Sequence, residues 1–254
     1  MDFLYALGLV VVSAQLSTFA TSIYLHRRLT HRTLSLHPLV EFPMRLQLWL
    51  ATGIVTKEWV AVHRKHHRYP DVEGDPHSPV LKGLWRILLG NIYYYVRETR
   101  NPETLTNFAP DVGNGWIDRH IFGRGLIGLA LGALLFVFLL GPIWGGLAFG
   151  TQMVVYIFLN AIINGAGHAI GYRTFDNTAT NLRSVALITA GEGLHNNHHA
   201  FPTSARFSVG RTEFDPSWPV ICLLSWVRLA RPLHVAPRPE TRANRAGLFS
   251  PSHL

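Results

Sequence analysis

Residues 125–163 read GLIGLALGALLFVFLLGPIWGGLAFGTQMVVYIFLNAII, without a charged side chain. The stretch contains two apolar runs, 125–140 and 147–163, joined by the short uncharged connection GPIWGG. A helix needs about 20 mostly apolar residues to cross a bilayer. The stretch therefore predicts a membrane-inserted helical hairpin, with spans at about 124–141 and 146–166.

Two further apolar stretches differ in length. Residues 3–25 read FLYALGLVVVSAQLSTFATSIYL, which is long enough for a tilted membrane helix and lacks the basic leader and cleavage site of a signal peptide. Residues 43–56 read PMRLQLWLATGIVT, which is too short for a span between two basic clusters and predicts an interfacial or half-inserted helix. The expected fold is therefore all-α, a polytopic membrane bundle of about three spans plus one interfacial helix.

The charged residues predict how this bundle lies in the membrane. Lys and Arg concentrate in residues 26–32 and 63–68, whereas the hairpin connection has none. Because basic residues favour the cytoplasmic side, the hairpin tip is expected outside and a helical cap in the cytosol. The chain has a formal net charge of +8, and no nucleic-acid motif accompanies its basic clusters. We expect one membrane domain over 1–235 and a disordered tail over 236–254.

Histidine is the unusual component, with 14 residues in 254. The histidines gather in HRRLTH (26–31), HRKHH (63–67), NGAGH (164–168) and HNNHH (195–199). Positions i, i+3 and i+4 share one helix face, so each HxxHH presents its imidazoles on one side. The five-residue gap from His26 to His31 does not fit one face of an α-helix, so that pair is expected at a helix end. The topology places all four elements at one membrane surface, where they can converge.

Nine histidines and an amide predict a site for two metal ions. The single Cys222 excludes a thiolate-based zinc or iron–sulfur site, and the chain has no HExxH. A zinc ion takes three or four protein ligands, so nine histidines oversupply one ion. Imidazole alone does not choose between iron, copper, zinc and nickel. A redox metal pair beside an apolar interior suits dioxygen chemistry on a lipid-like substrate, which favours iron.

These motifs and their flanks, KEWVAVHRKHH, EGDPHSP and GEGLHNNHHAFPTSARF, resemble the membrane-bound fatty-acid desaturases of the stearoyl-CoA type and their bacterial acyl-lipid relatives. The resemblance covers roughly residues 24–206. It implies a non-haem diiron centre that uses O2 to insert a cis double bond near carbon 9. The residues implied as ligands are His26, His31, His63, His66, His67, His168, His195, His198 and His199, with Asn164 acting through water.

The resemblance also implies a bent tunnel for the acyl chain, lined by Trp59 at the bend. Asn160 stands where the animal enzymes have threonine, and Gly53 where they have glutamine, so bond position and chain length stay open. The animal enzymes also have a transmembrane hairpin before the first histidine motif, whereas 25 residues precede His26 here. No cytochrome b5 motif is present.

The resemblance also leaves the partners open. The acyl carrier is expected to be CoA or a lipid. The electron donor is expected to be a separate ferredoxin, rubredoxin or cytochrome b5 with its reductase. We expect a multi-pass protein of the bacterial inner membrane, with its histidines on the cytoplasmic side.

Carboxylates near the histidine motifs are candidates to hold the free ring N–H groups of the ligands. They are Glu58, Asp75, Asp176 and Glu192. For His77, in DPHSP, a loop-structuring role is favoured over a chemical one.

Two alternatives to desaturation remain open at this stage. A related diiron membrane hydroxylase, ketolase or acetylenase would have a similar site, and product analysis would distinguish it. A non-catalytic metal-binding or transport protein would exchange metal without consuming O2, but the spans have few of the polar residues that an ion path needs.

Overall fold

The computed structural model describes residues 2–237, which are mostly helical. Its α-helices are α1 Asp2–Ala20, α2 Pro38–Thr52, α3 Thr56–Arg68, α4 Pro79–Lys82, α5 Leu84–Thr99, α6 Pro102–Phe108, α7 Gly125–Gly165, α8 Arg183–Ile188, α9 His195–Ala200 and α10 Ser217–Trp226. Two π-helical segments, Thr21–Thr30 and Asp118–Phe122, and a 3₁₀ turn, Ala166–His168, complete the helical part. Strands β1 Leu34–Leu36 and β2 Ala230–Pro232 pair antiparallel.

Two helices in the described range are long and apolar enough to cross a membrane, Phe3–Thr30 and Gly125–His168. The second has 44 residues, about twice what one crossing needs. It is interrupted at Gly141, whose φ of 76° and ψ of 169° are not helical. The chain reverses there, and the rings of Phe136 and Phe149, on the two sides of the break, pack edge to face at 5.4 Å. This long apolar element is therefore a helical hairpin, and the membrane crossing of each arm stays a prediction.

The membrane part is packed through small residues. A Cβ at Gly145 would lie 2.5 Å from the carbonyl oxygen of Phe136, so the two arms of α7 approach closely only because glycine stands there. Ala6 and Val10 of α1 pack against both arms, in one cluster with Phe136, Ala148 and Phe149. Other apolar residues of α7 are exposed, as lipid-facing residues are.

Helix α2 contains the segment for which the sequence predicts an interfacial helix, but its limits differ. It begins at Pro38, where the His37 ring nitrogen accepts from the Leu39 N–H, and it ends at Gly53 in the left-handed conformation. Residues 53–55 are not helical, and Thr56 begins α3. A Cβ at Gly128 or Gly132 would lie within 2.5 Å of an α2 carbonyl oxygen, so α2 lies directly against α7.

A second apolar core surrounds the end of the first candidate span. Ile23 and Leu25 of the π-helical segment are fully buried with Leu34 of β1 and Ile221 of α10. The following chain also covers this core, since Ala236, at the start of the predicted tail, is buried and its N–H donates to Ser204. The rest of that tail, residues 238–254, lies outside the described residues.

Candidate metal centre

A π-helix brings the first two histidines together. Residues Thr21–Thr30 form i→i+5 hydrogen bonds, and the His31 N–H donates to the His26 carbonyl at 3.1 Å. In this geometry residues five apart lie above each other, and the two rings are 4.9 Å apart. The pair lies at the end of the first candidate span, as its spacing predicts, but the π-helix was not foreseen.

The two HxxHH motifs both lie on helices, as predicted. HRKHH forms the last turns of α3, and HNNHH begins α9. The short 3₁₀ turn after α7 contributes His168, which is 4.8 Å from His195 between ring centroids. All nine histidines are buried or half-buried.

The nine histidines divide into two groups. The five-histidine group consists of His26, His31, His63, His67 and His198, and the four-histidine group of His66, His168, His195 and His199. Within each group the candidate ligand atoms all lie within 4.8 Å of one another. The groups are adjacent, since the rings of His67 and His199 stack at 4.4 Å. The histidines predicted as ligands therefore converge on two neighbouring positions.

The donor atoms fit one metal ion in each group. The His26 and His198 Nε2 atoms are 2.9 Å apart, as are those of His198 and His67. Two nitrogens bound at about 2.1 Å in adjacent positions lie about 3 Å apart. The buried Nε2 atoms of His31, His63 and His168 have no hydrogen-bond partner among residues 2–237. Such unpaired acceptors are unfavourable without a cation, so this donor set fits two ions.

Three carboxylates hold the outer nitrogens of ligand histidines. The His26 Nδ1 donates to Glu192 at 2.5 Å, and the His66 Nδ1 donates to Asp75 at 3.0 Å. The His168 Nδ1 donates to Asp71 at 2.6 Å. A carboxylate on Nδ1 fixes the ring orientation and leaves Nε2 for the metal. Asp71 was missed, although it lies four residues after His67.

The other two carboxylate candidates lie elsewhere. Asp176 is exposed, and no contact with a histidine of either group is found for it in the described chain. Glu58 lies on the wall of a cavity, where burial raises the pKa of its carboxyl. Closeness in sequence to a histidine motif did not distinguish these residues from Asp75 and Glu192.

An arginine completes the support of the five-histidine group. Arg27 is fully buried and donates to Glu192 at 3.3 Å and to Asp215 at 2.8 Å. Its guanidinium also lies 3.6 Å from the centre of the Phe207 ring. Burial alone would raise the pKa of Glu192, but His26 and Arg27 outweigh that effect and lower it. Glu192 is therefore an ionised acceptor for His26.

Burial lowers the pKa of histidines in both groups, as His63 and His199 illustrate. Burial, and then the neighbouring His26 and His31, hold the pKa of His63 well below its usual range. Burial and adjacent histidines do the same for His199 in the other group. Neutral imidazole is the form that binds metals, so the fold prepares these ligands before a metal arrives.

His77 is the histidine whose placement the sequence explains least. It is 4% exposed, and neither ring nitrogen has a partner among the described residues. Its backbone N–H donates to Asp75, which is consistent with the predicted loop role, and its ring stacks on His66 at 4.8 Å. Burial lowers its pKa to about 3. The ring also lines a cavity that His26 and His63 adjoin.

A cavity of about 490 Å³ adjoins the five-histidine group. His26 and His63 lie on its wall, and Trp59, which also lines it, stacks on His63 at 4.8 Å. Asn160 and Asn164 line it too, and the Asn164 amide donates to Asn91 at 3.1 Å. Most of the remaining wall is apolar and comes from α2, α5 and α7. The residues predicted for the tunnel thus lie together beside the histidines.

The chain is similar to known proteins over most of its length. Residues 3–212 match the sequence profile of the family described as fatty acid desaturase. The chain is 33% identical to an sn-1 stearoyl-lipid 9-desaturase of Anabaena variabilis, over 85% of this chain and 78% of the relative. It is 32% identical to a Delta-9 desaturase-like 2 protein of Arabidopsis thaliana, over 87% of this chain and 74% of the relative. An acyl-CoA C20 Delta5-desaturase of Anemone leveillei is 28% identical, over 85% of this chain and 70% of the relative.

Proposed function

The chain belongs to the fatty acid desaturase family, and we propose that it inserts a cis double bond near carbon 9 of a fatty acyl chain at a non-haem diiron centre. The observation that carries this proposal is that nine buried or half-buried histidines form two adjacent groups, one of which contacts an apolar cavity. An alkyl chain fits such a cavity. A membrane-crossing topology with three spans, and with the histidines on the cytoplasmic side of a bacterial inner membrane, is part of the proposal.

The nine histidines would hold the two irons, five nitrogens around one and four around the other. Asn164 would act on one iron through a water molecule. Its amide nitrogen is already engaged by Asn91, so its carbonyl oxygen remains the acceptor for that water. Glu192, Asp75 and Asp71 would orient the ligand rings through their Nδ1 atoms.

The reaction removes two hydrogens from adjacent methylenes. With O2, two electrons and two protons, –CH2–CH2– becomes –CH=CH– and two molecules of water are formed. When bound, the iron pair supplies the oxidising power that an unactivated C–H bond requires. The tasks of the chain are to position two methylenes beside the five-histidine group and to exclude bulk water, and the wall formed by Trp59 and its apolar neighbours serves both.

The reaction needs an acyl carrier and an electron donor. The substrate would be a fatty acyl group carried by CoA or by a lipid. Electrons would come from a separate ferredoxin, rubredoxin or cytochrome b5, with its reductase.

Expression in a bacterium without such a desaturase tests this function. Fatty acids would be profiled by mass spectrometry with double-bond location, with a compatible electron donor co-expressed. We expect a new monoene at one position, absent from cells that express a His195→Ala variant at equal level. A hydroxylated or oxidised acyl chain instead would assign the protein to oxygen insertion, and an unchanged profile with iron bound would contradict the proposal.

A further inference from the structure

The cavity has an opening with apolar sides. Three of its apolar side chains are exposed to the surroundings: Leu126 at 82%, Ile92 at 43% and Val96 at 37%. Leu126 lies in the first turn of α7, whereas Ile92 and Val96 belong to α5. The cavity therefore opens between α5 and the beginning of the membrane hairpin.

The outer face of α5 has no protein partner in the described chain. Trp85, Leu89 and Tyr93, spaced four residues apart, form an apolar stripe and are 72%, 80% and 62% exposed. The opposite face is packed, because Ile87 is fully buried and a Cβ at Gly165 of α7 would lie 3.4 Å from it. The stripe thus lies beside the end of a membrane-crossing helix and continues its apolar surface.

The other side of the opening has the same character. Trp116, Ile117 and Ile121, which precede α7, are 68%, 51% and 41% exposed. Exposed arginines accompany both sides, Arg119 and Arg124 here and Arg86 and Arg97 on α5. Tryptophan with arginine beside apolar residues is typical of segments at the level of the lipid head groups. This argues that a bilayer covers both sides of the opening.

The lining of the cavity carries no positive charge. Its ionisable residues are histidines, tyrosines, Glu58 and Glu192, and no lysine or arginine belongs to it. The phosphates of a soluble carrier such as CoA would have to stay in water outside this lining, because burying charged groups without cations is costly. An ester-linked membrane lipid keeps its phosphate among the other head groups and inserts an acyl chain only. Leu126, which is apolar and exposed at the entrance, suits the acyl chain of a membrane lipid.

We propose that the acyl carrier is a membrane glycerolipid, whose acyl chain enters sideways from the bilayer between α5 and the start of α7. This inference rests on the desaturase function proposed above and adds the carrier and the route. The apolar sides would accept the chain, and the arginines would contact the lipid phosphates.

The carrier is tested with the iron-loaded full chain in vesicles, with reduced ferredoxin and O2. One set of vesicles contains deuterated distearoyl phosphatidylglycerol, and a matched set contains unlabelled lipid with deuterated stearoyl-CoA. We expect labelled monoene in the intact lipid and at least tenfold slower conversion of the thioester. Faster conversion of the thioester would overturn the carrier and leave the desaturase function intact. Conversion of neither substrate would overturn both.

The route is tested by narrowing the opening. Leu126→Trp and Ile92→Trp should each lower turnover of the lipid at least tenfold, because a larger ring fills the entrance. The matched control is Leu134→Trp, two turns further along α7, which is 63% exposed and does not line the cavity. Iron content and thermal stability should equal the wild-type values in all three variants. Unchanged turnover in both entrance variants would overturn the route.

Discussion

The two histidine groups use the same ligand chemistry but are supported differently. In the five-histidine group one carboxylate, Glu192, holds His26 and is itself paired with the buried Arg27. In the four-histidine group two carboxylates, Asp71 and Asp75, hold His168 and His66, and no arginine contacts either carboxylate in the described chain. A carboxylate partner makes a ligand imidazole more basic, so a group with two such partners and a group with one would hold their ions differently.

The groups also differ in their access to the cavity. His26 and His63 of the five-histidine group line it, whereas no member of the four-histidine group does. On the side of the four-histidine group, His77 lines the cavity and stacks on His66. An acyl chain in the cavity would therefore meet the five-histidine group first. The difference suggests one position that faces substrate and one that is shielded from it.

The largest effect is expected from removing a ligand in either group. His198→Ala and His168→Ala should each abolish desaturation, since both ions are needed for the reaction. Iron analysis should show a fall from about two ions per chain to about one, because the other group retains its ligands. A fully active His168→Ala enzyme would remove that residue from the site.

Arg27→Met should have the next largest effect, a loss of folding stability. Of the two groups, only the five-histidine group is supported by Arg27. It leaves Glu192 and Asp215 buried without their cation, which costs about 3–5 kcal/mol when one partner of a buried pair is removed. The control is Arg28→Met, whose half-buried pair with Glu41 contributes about 0.2–1 kcal/mol. Denaturation in detergent would compare them, and equal losses would contradict the buried role of Arg27.

Neutralising the supporting carboxylates should separate the two groups. Asp71→Asn should weaken metal binding about 10–100-fold at the four-histidine group alone, and Glu192→Gln should do so at the five-histidine group. Stepwise titration of the metal-free protein with Co²⁺, followed by absorption, reports two binding events. Asp176→Asn, at an exposed position, should change neither event. A loss of both events in Asp71→Asn would show that the groups are not independent.

Mild acidification should have the smallest effect on stability and iron binding, and both histidine groups should respond alike. The pKa values of His63 and His199 are held well below the usual value of about 6.5 by burial and then by neighbouring histidines. Since their folded-state pKa values are lowered, their contribution to stability is present above about pH 6.5. It is lost as the pH falls towards the folded-state values, because the unfolded chain then binds protons.

Iron content measured from pH 8 to 6.5 should therefore stay constant, and below that it should fall together with the thermal midpoint. Release of iron at pH 7 with the fold intact would contradict these pKa shifts.

Much of this arrangement could be predicted from sequence because it depends on periodicity. The HxxHH spacing fits α-helical faces, and both motifs lie on helices. The alignment of His26 with His31 depends on a π-helix, which has no equally simple pattern. The division into groups of five and four was also beyond the sequence, because His66 and His67 are adjacent in α3 yet belong to different groups.

The supporting carboxylates show a further limit. Asp71 and Asp176 are both near histidine motifs, yet a turn directs one to His168 and the other is exposed. Both residues are aspartates close in sequence to a histidine motif, and only the tertiary structure determines which of them contacts a histidine. The entrance residues were hidden for the same reason, because Leu126 and Ile92 are distant in sequence and meet only when α5 packs beside α7.

The most direct test of desaturation at this site is a single turnover of the iron-loaded enzyme with ¹⁸O2 and an acyl substrate whose own oxygen atoms are unlabelled. Desaturation by the proposed chemistry should give a monoene with all of the ¹⁸O in water and none in the acyl chain. Recovery of ¹⁸O in the acyl product would contradict desaturation and show that the two histidine groups support oxygen insertion.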